Sequence, residues 1–112
     1  MAETFRLKTG ASVSTSLVDI YTVPVSTTTV IVGGLLSNKS GSIITADVQI
    51  VTASSSGENA DDVYLIKTVQ IPSGSSLEIV EGKVVLEAGD KIKVLSSASS
   101  ALDVAFSIME IT

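Results

Sequence analysis

The sequence predicts an all-β domain, an antiparallel two-sheet β-sandwich of jelly-roll-like form with about eight strands. Three observations carry the prediction. Apolar and polar residues alternate along several segments, helical periodicity is missing throughout, and turn residues recur at short intervals. Of the 112 residues, 29 are Ser or Thr, which compete with helix through local backbone bonds but sit well on strand faces and in turns.

The elements follow in order. A short strand over residues 5–8 would be a ninth, added to eight stronger ones. Residues 17–23 and 28–36 are rich in β-branched side chains, with Pro24 ending the first. Residues 43–51 give the clearest half-buried strand, Ile44, Ala46, Val48 and Ile50 alternating with Thr45, Asp47 and Gln49. Residues 63–71, 76–80, 83–86 and 91–95 follow, punctuated by Pro72-Ser73-Gly74, a hairpin turn expected at Glu81-Gly82, and Gly89-Asp90. The last strand sets Leu102, Val104, Phe106 and Ile108 on one face and Asp103, Ala105, Ser107 and Met109 on the other. Gly33-Gly34 lies inside an apolar strand without a phosphate-loop pattern, which indicates a bulge or a close sheet contact. Residues 1–16 are expected to form an N-terminal arm and residues 17–112 the sandwich.

A chain of this length builds one core, burying roughly two-thirds of the surface its unfolded form exposes. Apolar residues make up 45% and charged residues 17%, and the mean hydropathy is positive, so partners are expected to cover part of the surface. The longest apolar run, residues 30–36, is too short for a membrane-spanning helix, and the start carries no secretory pattern, so the protein is expected to stay where it is made, with no membrane partner. The net charge of −5, from twelve acidic and seven basic residues without a Lys or Arg cluster, argues against nucleic acid.

The chain has no His and no Cys, which removes the usual nucleophile–base pairs and imidazole or thiolate metal sites. The remaining carboxylate groupings, Asp61-Asp62 and Glu78 with Glu81 and Glu87, lie in or beside expected turns, where solvated carboxylates are ordinary. Glu58, Asn59, Asp61 and Asp62 offer oxygen donors to calcium, but their spacing fits no defined loop, and they read as a solvated acidic loop within residues 52–62. No catalytic residue, metal site or cofactor is therefore expected. Of the four aromatics, Phe106 reads as core and Tyr64 as sheet edge, with Tyr21 the remaining ring. Phe5 stands in the arm, where a swapped or intersubunit strand would cover it.

The segment Ile71-Pro72-Ser73-Gly74-Ser75-Ser76-Leu77-Glu78, followed by Gly82-Lys83-Val84-Val85-Leu86-Glu87-Ala88-Gly89-Asp90-Lys91-Ile92-Lys93-Val94, resembles a pattern in small virion proteins of tailed bacteriophages, cyanophages among them. Asp19-Ile20-Tyr21-Thr22-Val23-Pro24, Thr29-Val30-Ile31-Val32 and Ser37-Asn38-Lys39-Ser40-Gly41 are similar to its earlier parts, and the likeness spans residues 17–112. The resemblance implies a non-enzymatic structural subunit of the virion, assembled in the host cytoplasm. It implies a capsid decoration or cement protein, trimeric and bound to the major capsid protein, or else a neck or tail ring or fibre-attachment subunit bound to neck or tail proteins. A host-surface carbohydrate-binding module is a third reading, weakened by the shortage of aromatics. Contacts with copies of the chain are expected at Phe5 and Leu7 of the arm, at Ile31 and Leu35, and at Ala105, Met109 and Ile111.

Overall fold

The computed structural model describes residues 2–52, 62–80 and 82–112. Nine strands make two antiparallel sheets: β1 (Glu3–Gly10), β2 (Val18–Thr22), β3 (Thr28–Asn38), β4 (Ile44–Val51), β5 (Val63–Ile71), β6 (Ser76–Glu78), β7 (Val84–Leu86), β8 (Lys91–Ser96) and β9 (Leu102–Ile111). One sheet runs β1-β9-β3, with β6 and β7 end to end along the far edge of β3; the other runs β2-β8-β4-β5. The pairs are nested, β4 with β5, β3 with β6 and β7, β2 with β8, β1 with β9. A long antiparallel hairpin wound over itself gives this nesting, the jelly-roll arrangement anticipated from the sequence.

Alternation fills the core. Along β9 and β8 every second residue is buried, and Phe106, Ile108 and Leu36 from one sheet meet Val48, Ile92 and Val94 from the other. Burying an aliphatic or aromatic side chain of this size contributes roughly 1.5–3 kcal/mol, which is what commits each strand to one register.

At Gly33-Gly34 both expected features coexist. The pairing of β3 with β9 shifts between Ile31 and Gly33, leaving Val32 as the extra residue of a bulge. Gly34 lies against Phe106, whose Cε1 would stand 2.8 Å from any Cβ built there. Beyond the bulge the inward positions change parity, from Thr29 and Ile31 to Gly34, Leu36 and Asn38. Ile31, expected to share the outward face with Leu35, is therefore fully buried in the core.

A further correction concerns the hairpin expected at Glu81-Gly82. β6 and β7 pair with β3 at Leu35–Ser37 and Thr29–Ile31 respectively, so no hairpin ladder joins them; Glu81 itself lies outside the described residues. The expected arm, residues 1–16, contains β1, which pairs with β9 from Glu3↔Ile111 to Gly10↔Val104. The Ser-rich turns meet at one end of the roll. There Asn38 is buried, its Nδ2 donating to the carbonyls of Ser42 (2.8 Å) and Ile71 (2.9 Å) and its Oδ1 accepting from the Ser40 amide (2.9 Å). One side chain thus ties the 39–43 turn to the end of β5.

Candidate functional site

The two outer faces of the sandwich differ in chemistry. On the β2-β8-β4-β5 sheet, Asp19 sits between Lys93 (3.3 Å) and Lys91 (3.5 Å), and Asp47 pairs with Lys67 (3.1 Å), whose Nζ lies 4.8 Å from the Tyr64 ring centre. Partial desolvation raises the Asp19 pKa, but hydrogen bonds and charge from Lys93 and Lys91 outweigh it and hold the group below the usual aspartate value. This face is charged and ion-paired, with Asp47 buried beneath Lys67.

The β1-β9-β3 sheet is different. Its ladder sets Phe5 opposite Met109, Met109 opposite Val30 and Val30 opposite Val85, an uninterrupted apolar row across β1, β9, β3 and β7. The next row is Leu7, Ser107 and Gly33, and beyond it stand Thr9, Ala105, Leu35 and Glu78. Ile111 continues the face between Glu3 and Thr28. Residues directly opposite one another share a face, so all of these point away from the core. Charge enters at the margins, at Glu3, at Glu78 and at Asp103, which pairs with Lys39 at 2.9 Å.

Phe5 and Leu7 are 74% and 64% exposed, Val85 is 61% exposed, and Leu35 is also open to solvent. Met109, Ala105 and Ile111 are half-buried among their neighbours. Of the seven residues nominated from the sequence, the structure brings six onto this one face; Ile31 is the exception, for the reason of parity given above. Val30 and Val85 belong to the face and went unnominated. A local reading gives no sign that β7 lies beside β3, because the two are separated by the whole β4–β6 excursion.

Where the row of small residues crosses, the face dips. Gly33, Ala105 and Ser107, with Gly34, Leu35 and Glu78, line a shallow groove of about 250 Å³. Its polar side chains are one carboxylate, Glu78, and one hydroxyl, Ser107. Of the other carboxylates raised by the sequence, Asp62 Oδ1 accepts a hydrogen bond from the Thr52 amide at 3.1 Å and Glu87 sits in the turn after β7. Glu58, Asn59 and Asp61 lie outside the described residues. Among the described residues no three potential metal-ligating side chains converge.

A polar cluster lies at the β1 end, between the sheets. Glu110 points inward from β9 and is almost wholly buried. Its Oε2 accepts from the Tyr21 hydroxyl and its Oε1 from Arg6 Nε, both at 2.6 Å, while Thr29 Oγ1 lies 2.8 Å from the same hydroxyl. The Tyr21 hydrogen bond, with Arg6 assisting against the opposing effect of burial, holds the Glu110 pKa below the usual glutamate value. Burial, and then the carboxylate acceptor, pushes the Tyr21 phenol up to about 12. Every polar partner is accounted for, so the cluster is a clasp between β1, β2, β3 and β9.

No protein-family model matches the chain, and no curated protein matches it. Among solved structures, the fold is similar to that of Bacillus endospore appendages, described as a family of disulfide-linked pili, with a TM-score of 0.52 and 17% identity over 99% of this chain and 87% of that one. It is also similar to part of a chain of the T13 IBDV viral particle, with a TM-score of 0.58 and 10% identity over 96% of this chain and 30% of that one. At such identities the likeness is one of fold.

Proposed function

We propose that this protein is a non-enzymatic structural subunit of a bacteriophage virion, a decoration protein that packs against copies of itself on the assembled shell. The apolar outer face of the β1-β9-β3 sheet carries this reading. β1, β9 and β3, of eight to eleven residues, with the short β6 and β7 at a fourth position, make that face on the order of 600 Å². Burying it against a neighbour removes on the order of 1,200 Å² in total, at the lower bound of stable interfaces and in keeping with association on a lattice. Its central row, Phe5, Met109, Val30 and Val85, is apolar, and contiguous apolar surface marks interaction sites in soluble proteins.

Two folds of similar outline, one from pili and one from a viral particle, support the structural class. The pili are described as disulfide-linked, whereas this chain has no cysteine. Its copies would therefore associate without disulfide links. Three copies closing a ring, each face against the next subunit, suit a threefold position on a shell. A protein that binds only the assembled shell stabilises it by mass action, with no chemistry required.

Light scattering after size exclusion tests the reading. A trimer is expected. A larger closed ring would favour a neck or tail position instead, and a monomer across the accessible concentration range would overturn self-assembly.

A further inference from the structure

We propose that β1 is exchanged between copies, the strand Glu3–Gly10 of one chain pairing with β9 of the next and the chain hinging at Ala11-Ser12. The inference rests on the self-assembly reading above and names the element that connects the copies.

β1 puts no side chain into the core, whose first member in the sequence is Val13. What holds β1 is a main-chain ladder to β9, the backbone pair of Ala2 with Thr112, the Arg6–Glu110 ion pair, and Lys8 above the Tyr21 ring at 5.6 Å. Each of these contacts is made to β9 or β2. The same strand from another chain makes all of them equally well, so exchange keeps every one of these β1 contacts and exposes no core.

The hinge favours opening. Val13 is buried and its amide donates to the Leu102 carbonyl at 2.8 Å, so the closed chain must turn within Ala11 and Ser12. Ser12 takes a φ of 53°, a left-handed conformation that costs a non-glycine residue roughly 1–2 kcal/mol. Straightening the hinge releases that cost, and short strained hinges are those that swap. Opposing it are the Ser12 amide bond to Asp103 Oδ1 (2.8 Å) and the Lys39 Nζ bond to Ser12 Oγ (2.9 Å), both at the surface and correspondingly weak.

Reach is sufficient. Ten extended residues span about 33 Å, more than the 26 Å and 21 Å shorter dimensions of the domain. In the exchanged form Phe5 and Leu7 of one chain complete the apolar face of the next, through the registers Phe5↔Met109 and Leu7↔Ser107.

The absence of native cysteine makes the test clean. Leu7→Cys and Ser107→Cys chains, unfolded together, refolded and oxidised, should yield a disulfide-linked pair of one chain of each kind. The double variant should yield covalent multimers on a non-reducing gel, more of them with Ser12→Pro, which forbids the positive φ, and fewer with Ser12→Gly, which relaxes it. An oligomer whose double variant closes only within single chains, and whose single variants fail to pair, would overturn exchange and leave the assembly reading standing. A monomer with intrachain closure alone would overturn both.

Discussion

The Tyr21 hydroxyl donates a 2.6 Å hydrogen bond to Glu110 Oε2 across the interior, joining β2 of one sheet to β9 of the other. Arg6 is committed to the other oxygen, and the Thr29 hydroxyl is bonded to the Tyr21 hydroxyl itself. Removing the hydroxyl leaves a buried charged oxygen short of a partner, and hydrogen bonds to charged groups contribute about 1.5–3 kcal/mol. Tyr21→Phe should therefore lower unfolding stability by about 2 kcal/mol, read by equilibrium denaturation, with the fold retained because the ring still fills its place.

The same pair sets a stability window in pH. Glu110 has a depressed folded pKa, so its contribution is present above the unfolded value near 4.5 and is lost as pH falls through the folded value. Tyr21 has a raised one, so its contribution is present below the unfolded value near 10 and is lost as pH rises from 10 toward 12. Thermal melts should fall at both limits, and both declines should flatten in Tyr21→Phe. An acid limb identical in the variant and the parent would place the acid-sensitive group elsewhere.

Adjacent glycines should respond in opposite ways. A Cβ at Gly34 meets Phe106 Cε1 at 2.8 Å and Val80 Cγ2 at 3.1 Å, whereas at Gly33 the nearest atom is Ser107 Cβ at 3.9 Å. Gly34→Ala should cost about 1–3 kcal/mol as an overpacked core position. Gly33→Ala should leave stability within about 0.5 kcal/mol. Comparable losses at both would contradict the bulge that turns one glycine inward and the other outward.

Val85 sits at the rim of the apolar row, opposite Val30 of β3 and largely exposed. Val85→Lys should leave the melting temperature of the subunit nearly unchanged while reducing its solution mass at equal concentration, because a charge on this face must be desolvated on association. Light scattering with a parallel thermal melt separates the two effects. An unchanged mass would remove Val85 from the interface.

Much of the fold was legible locally. The alternation of Ile44, Ala46, Val48 and Ile50 placed β4 and its inward face, and Val63–Ile71 was read with both ends in place. Phe106 read as core because it shares a parity with Leu102, Val104 and Ile108 in a strand without a bulge. The outward residues of β9 followed from the same parity. β3 defeated this reasoning: one extra residue at Val32 reverses every later side chain, which is how Ile31 and Leu35 were wrongly placed together. The Glu110 clasp also left no trace in the spacing, since Arg6, Tyr21, Thr29 and Glu110 are scattered over four strands.

By itself, then, the sequence determined what depends on neighbours along the chain: strand identity, the turns, the core of each regular strand, and the absence of His and Cys chemistry. Tertiary structure alone decided which strands lie side by side, that β7 extends the β3 edge, that β1 closes the other, and that the apolar residues of four strands fall on one face. Those outcomes rest on pairing between segments more than a hundred residues apart, as between Arg6 and Glu110 (|i−j| = 104), where long-range burial and ladder geometry act and local propensity carries no information.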